Sequence, residues 1–212
     1  STVTQTSFEN QQEVVQNEKR QRVDNRPYGH TNYMMIKNMY PEDHPYNWTT
    51  IGELEDLQNA TLEDVRAFYE EWYGPNNATM VIAGDIKKKE VKQLVEKYFG
   101  EIKPGPNNPD PKPIPVQLSE TKKLYHEDIF ARSPRLTMDF PTIDQSHFDA
   151  AALELLGQLL GDGKKAPLYK VIVEQKKLAP SLYSYNSAQE IAGTFNVTVT
   201  GFPTTNLGDV EK

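Results

Sequence analysis

A chain of 212 residues with 37% hydrophobic and 25% charged side chains carries enough apolar material to bury a real core, in one large domain or two smaller ones. Its net charge of -7 argues against nucleic acid or an acidic membrane surface as a partner, since both require a basic face. The lack of cysteine excludes disulfides, thiol catalysis and thiolate metal sites, and no apolar run is long enough to span a bilayer.

The chain opens at Ser1 without a methionine or a signal-peptide pattern and stops at Val210-Glu211-Lys212 where a helical segment begins, so both ends read as cut. From Phe8 to about Val23 the chain is rich in Glu, Gln, Lys and Arg without glycine or proline, which predicts a largely solvated helix started by Ser7 and ended by Pro27 and Gly29. Tyr33, Met34, Ile36 and Met39 give a second helix over Thr31 to Met39, stopped by Pro41. A polar loop with His44, Pro45 and Tyr46 follows, then a short helical turn near Glu53 to Leu57. In the next segment Thr61 is a good N-cap and Glu63 and Asp64 place negative charge in the first turn. Leu62, Val65, Phe68, Tyr69 and Trp72 recur at helical spacing there, and the aromatics, with Tyr73, read as core. Gly74-Pro75 ends that helix.

The run Ala78 to Gly84 is short, apolar and bounded by turn residues, which predicts a buried strand. Asp85 leads into an amphipathic helix with Val91, Leu94, Val95 and Tyr98 on one face and Gly100 past its end. Six prolines in PGPNNPDPKPIP, residues 104–115, predict an extended linker that divides the chain into residues 1–103 and 116–212. Beyond it, strands are predicted at Lys122 to Ile129 and Leu136 to Phe140. Ser146 is the expected cap of an apolar helix containing Phe148, Leu153, Leu156, Leu159 and Leu160, which must be buried against a sheet or another helix. Gly161-Asp162-Gly163 ends it, Pro167 opens a further helix, and two strands, Ser181 to Ser187 and Thr194 to Phe202, form an antiparallel pair with one covered and one polar face. Four N-x-T triplets, at Asn47, Asn59, Asn77 and Asn196, read as chance occurrences.

In order and spacing, EVVQNEKRQR, the HPY turn, FYEEWYGPNNATMVIAGDI and LGDGKKAPLYKVIVEQKKLA resemble the pitrilysin-like zinc peptidases of the M16 family, over most of the chain. The resemblance implies an α+β fold, with antiparallel or mixed sheets covered on one side by helices, in two similar domains facing each other across a chamber. Residues 1–103 would then be the C-terminal part of a first domain, 104–115 the proline-rich linker and 116–212 the N-terminal part of a second. In the family, zinc is held by the two histidines of an H-x-x-E-H helix and by a glutamate from a later helix, and the open fourth position activates water against a peptide carbonyl. On that resemblance Glu18 is the third zinc ligand, and Gln11 stands seven residues earlier where many relatives carry a supporting glutamate.

Spacing alone reads Glu18 differently, as a solvated carboxylate paired with Arg22 at i+4. The four histidines, His30, His44, His126 and His147, include no pair four apart on one helix, so the H-x-x-E-H helix would lie upstream of Ser1. The expectation is a fragment of a zinc metalloendopeptidase acting on peptides or unfolded proteins. Zn2+ would belong to the parent protein, and the fragment alone would be inactive and would not hold the ion. Its partners would be the missing N-terminal half-domain, a homologous M16 subunit or, through open sheet edges, a second copy of itself. The alternative is a non-catalytic structural or partner subunit of the same fold. His44 reads as a turn residue packed beside Tyr46, and Gly161-Asp162-Gly163-Lys164 as a helix-ending turn whose position resembles a glycine-rich, substrate-recognising segment of processing peptidases. The protein is read as bacterial, of the periplasm or the cytoplasm, with the periplasm favoured.

Overall fold

Fifteen residues without glycine or proline, Gln5–Lys19, form the first helix, α1, of the computed structural model, which describes residues 3–212. Helices α2 (Thr31–Met39), α3 (Leu54–Asn59), α4 (Leu62–Trp72) and α5 (Lys88–Phe99) follow, then strand β1 (Arg135–Thr142), α6 (Ala150–Gly161), strands β2 (Ser181–Ala188) and β3 (Gly193–Thr200), and α7 (Leu207–Glu211). Wider, π-helical turns occupy Arg20–Asp24 and Tyr169–Gln175. The architecture is α+β, and no helix of the described residues is long and apolar enough to cross a membrane. The chain divides into two compact units, one made of the chain up to Asn17 with Glu53–Asp110, the other of Glu18–Gly52 with Pro111–Lys212.

In the first unit local bonds do most of the holding. Thr61 caps α4, its hydroxyl accepting from the Asp64 amide at 3.2 Å while the Asp64 carboxylate accepts from the Thr61 amide at 2.8 Å. Those bonds to Thr61 hold the Asp64 carboxyl below the ordinary carboxylate range. The side chain of Asn76 accepts from the Gly105 amide and donates to the Pro106 carbonyl, and Asn108 donates to the Glu71 carbonyl at 3.0 Å, so the start of the proline-rich segment is tied to the end of α4. Gly74 permits that approach, because a Cβ there would stand 2.4 Å from the Gly105 nitrogen. Gly74 is also the only buried residue among the described residues of this unit.

Two sequence expectations fail here. The run Ala78 to Gly84 is extended but belongs to no sheet, and Val81 is 83% exposed with Met80 and Ile82 also in solvent. A strand exists only through a ladder, and among the described residues every sheet strand lies in the other unit. For the same lack of a covering layer, Phe68, Tyr69, Trp72 and Tyr73 are exposed and not core, as are Leu94 and Tyr98 of α5.

The second unit is built on a three-stranded antiparallel sheet in the order β1-β3-β2. Register places Val199 opposite Leu136 on one side and Leu182 on the other, and alternation sends these three to one face. Val199 is fully buried there with Leu182, Ile172, Ala179 and Val210, each large side chain stabilising the unit by roughly 1.5–3 kcal/mol. Helix α6 covers the same face and lies close on β2, since a Cβ at Gly157 would meet the Tyr185 Cα at 2.8 Å and one at Gly161 the Ser184 nitrogen at 2.9 Å. This contact is narrow. Leu155, Leu156 and Leu159 remain exposed, as does Phe148 before the helix, so the expectation of a helix buried against a sheet holds only for its glycine side.

Ser146 is not the cap of α6, which begins at Ala150; its amide and hydroxyl donate to the Asp144 carboxylate in a preceding turn. Residues 122–129 form no strand, because β1 and β2 are the two edges of the sheet and neither pairs with them. A second core joins α2 to this unit through Ile36, Met39, Tyr40 and Ala192, with Tyr46 and Val116 packed against it.

Candidate functional site

Glu18 stands in the last turn of α1, where its carboxylate pairs with Arg22 at 2.8 Å and its side chain is 36% exposed. Spacing on a helix makes that pair, and a surface pair of this kind contributes about 0–1 kcal/mol. The carboxylate is therefore held loosely enough to exchange partners. Nothing else needed for a metal site converges on it: among the described residues no group of three His, Asp or Glu side chains could hold an ion. A single carboxylate with a cation as its neighbour does not fit zinc, which takes three protein ligands in catalytic sites.

The four histidines lie apart in role. His30 approaches Asp24 at 3.9 Å and meets the His126 ring edge-on at 5.6 Å, beside Tyr28, whose amide donates to Asp128. His147 lies 3.7 Å from Asp149 and stacks on Phe148. His44 is buried, as a turn residue packed between Tyr40 and Tyr46, with ring centroids 4.6 and 5.4 Å away. Its Nδ1 accepts from the Tyr46 amide at 3.0 Å, so the ring is the tautomer whose Nε2 donates to the Ile114 carbonyl, also at 3.0 Å. The Tyr46 hydroxyl accepts from the Ile191 amide, and Asn47 donates to the Tyr40 carbonyl at 2.6 Å. This network has a scaffold role, fastening residues 40–47 to the end of the proline-rich segment and to the loop before β3.

Gly161-Asp162-Gly163 ends α6, with Gly163 at φ +78° in the left-handed region. Lys177 also lies there at φ +52°, an uncommon conformation for a side chain with a Cβ.

Sequence reasoning gave the sheet a polar face but missed the row of side chains that crosses it. Register brings Asp139 of β1, Asn196 of β3 and Tyr185 of β2 into one row, and Thr137, Thr198 and Tyr183 into the next. Asn196 donates to the Asp139 carboxylate at 2.7 Å and accepts from the Thr198 hydroxyl at 2.8 Å. Burial pushes the Asp139 carboxyl above the ordinary carboxylate range, against the Asn196 bond that lowers it. Burial also raises the Tyr40 phenol, and the nearby Tyr46 and Asp139 add to it. The alternation of β3 signalled a polar face, but its pairing with Asp139 needed the register.

Residues 59–212 match the family described as Peptidase M16 inactive domain, which covers more than half of the chain. The chain belongs to that M16 peptidase family. It is similar to zinc protease PqqE of Helicobacter pylori, 31% identical over 210 residues that make up 95% of this chain and 46% of the relative. Its fold matches a Helicobacter pylori protease crystal structure with a TM-score of 0.83 at 29% identity, covering 99% of this chain and 51% of that one. A peptidase M16 inactive domain from Pseudomonas fluorescens matches with a TM-score of 0.78 at 20% identity, covering 95% and 48%. The chain thus spans about half the length of these relatives.

Proposed function

We propose that this chain is part of a longer zinc metalloendopeptidase, contributing one metal ligand, Glu18, and a wall of the chamber in which peptides or unfolded proteins are hydrolysed. The observation that carries this reading is the pairing of two facts: a relative named zinc protease aligns with 95% of the chain, and the chain spans 46% of that relative. Glu18 offers a partly exposed carboxylate bound to one exchangeable arginine. The two histidines and the general base would come from the rest of the longer protein. So would the layer over the apolar surface of the first unit, which its described residues leave in solvent.

The 212 residues alone neither hydrolyse peptides nor hold zinc tightly. In the longer protein, Glu18→Ala removes zinc and chelator-sensitive hydrolysis together. Chelator-sensitive hydrolysis by the isolated chain, or full zinc content in the longer Glu18→Ala protein, overturns the assignment.

A second reading is favoured by the matched family's own description as an inactive domain: a structural or partner subunit that keeps the fold without the chemistry. Zinc content of the longer protein separates the two, the metal being present for the enzyme and absent for the partner subunit. A third arrangement, copies of the chain covering each other's exposed Ala78 to Gly84 runs, follows from an uncharged extended segment without a ladder; a monodisperse monomer in light scattering at high concentration contradicts it.

A further inference from the structure

We propose that His44 is an acid-sensitive latch, which when neutral holds the end of the proline-rich segment at Ile114 against the loop before β3 and when protonated releases it. The latch operates whether or not the longer protein is a peptidase, and it uses no residue of the metal site.

Four hydrogen bonds run head to tail in a closed cycle. The His44 Nε2 donates to the Ile114 carbonyl at 3.0 Å, and the Ile114 amide donates to the Ile191 carbonyl at 2.7 Å. The Ile191 amide donates to the Tyr46 hydroxyl at 3.2 Å, and the Tyr46 amide returns to the His44 Nδ1 at 3.0 Å. Bonds arranged in this way polarise one another, so the cycle is held and broken as a unit. Pro113 and Pro115 flank Ile114 and have no amide to give, which leaves the two Ile114 bonds to fasten this stretch of backbone.

His44 is the one member of the cycle whose charge changes near neutral pH. A second proton would sit on Nδ1 and turn the acceptor of the Tyr46 amide into a donor that faces a donor. It would also place a cation on a ring that is 3% exposed, between the rings of Tyr40 and Tyr46.

No counter-charge meets that cation. The turn itself brings the phenols of Tyr40 and Tyr46, while its Glu42 and Asp43 are in solvent. Helix α2 brings Lys37, a further cation, bonded to Asn47. From β1 the carboxyl of Asp139 acts on Tyr40, but it is engaged by Asn196, and burial raises it above the ordinary carboxylate range, so it too takes up a proton in acid. The proline-rich segment and the loop before β3 contribute Lys112 and Glu190, both exposed. Among the described residues the histidines within ion-pair distance of a carboxylate are His30 and His147. The open turn can take a proton for which the closed cycle has no place, so falling pH favours opening. A purely structural fastening needs no titrating group, since a glutamine carboxamide supplies one donor and one acceptor and stays neutral.

The test is amide exchange of the intact chain, followed by NMR and expressed as protection factors. Between about pH 7.5 and about pH 5.5 the amides of Tyr46, Ile114 and Ile191 should lose protection about tenfold or more, while that of Val199 keeps it. In His44→Gln the same three amides should keep their protection over this range, with circular dichroism checking that the variant is folded. The imidazole nitrogen resonances of the unsubstituted chain read the same event without a mutation, passing from the Nε2–H tautomer to the doubly protonated ring as Ile114 is released. Protection that is unchanged in the parent chain, or that falls equally in His44→Gln, overturns the proposal. So does a doubly protonated His44 with Ile114 still protected, or a loss that extends equally to Val199.

Discussion

In the second unit Val199 is fully buried between Leu136 and Leu182, whereas in the first unit Val81, as apolar and just as extended, is 83% exposed. Both units also contain helices with a distinct apolar side. What separates them is the presence of a second layer: β3 has a strand on each side and helices over its face, while the run Ala78 to Gly84 has no ladder partner among the described residues. Hydrophobic residues stabilise a fold only when something removes them from water. Amphipathic pattern therefore records which face is meant to be covered, and the covering layer has to come from elsewhere in sequence.

The contrast is broken most sharply by placing the same charge in both units. Val199→Asp is expected to unfold the second unit, costing about 4 kcal/mol or more because a lone carboxylate would be buried, while Val81→Asp changes stability by less than about 0.5 kcal/mol. Urea unfolding followed by circular dichroism measures both, and comparable losses would erase the distinction. Next in size is His44→Ala, which breaks part-buried bonds, leaves the Tyr46 amide and the Ile114 carbonyl without their partner and costs about 1–2 kcal/mol. Thr61→Ala removes the capping bond of α4 and costs about 1 kcal/mol, read as faster amide exchange in α4 with no change in β3.

The smallest effect is one of pH. The Asp139 carboxyl is raised above its ordinary range, so the folded state binds its proton more tightly than the unfolded chain does. Its contribution is therefore fully present at pH below the ordinary carboxylate range and is lost as pH rises through the raised folded value. Asp139→Asn removes that loss, so the variant gains stability relative to the parent chain between acid and neutral pH. A parallel pH dependence in the two proteins would contradict the burial of this carboxyl.

Much of the helical framework was legible because it is local. The Thr61 cap, the α2 periodicity ended by Pro41, the turn after Gly161 and the i+4 pair of Glu18 with Arg22 all follow from residues within a few positions of each other. The alternation of Phe195, Val197 and Val199 likewise gave β3 its two faces. What depended on distant partners was not legible. The runs at Ala78 and Lys122 have strand-like composition, but composition does not supply a neighbouring strand. Asp139 is separated from Asn196 by 57 positions in sequence, so its polar row emerges only with the register. Glu18 was picked out by resemblance, and the fold gives it an arginine partner, with no metal-binding group among the described residues.

The central claim, that one unit has a buried core and the other leaves its apolar residues in solvent, is tested most directly by hydrogen–deuterium exchange of the isolated monomeric chain. Amides of β3 should exchange slowly, close to the rate set by global unfolding, while those of residues 78–84 should exchange at nearly the unprotected rate. Protection of residues 78–84 equal to that of β3 in the monomer would contradict the account.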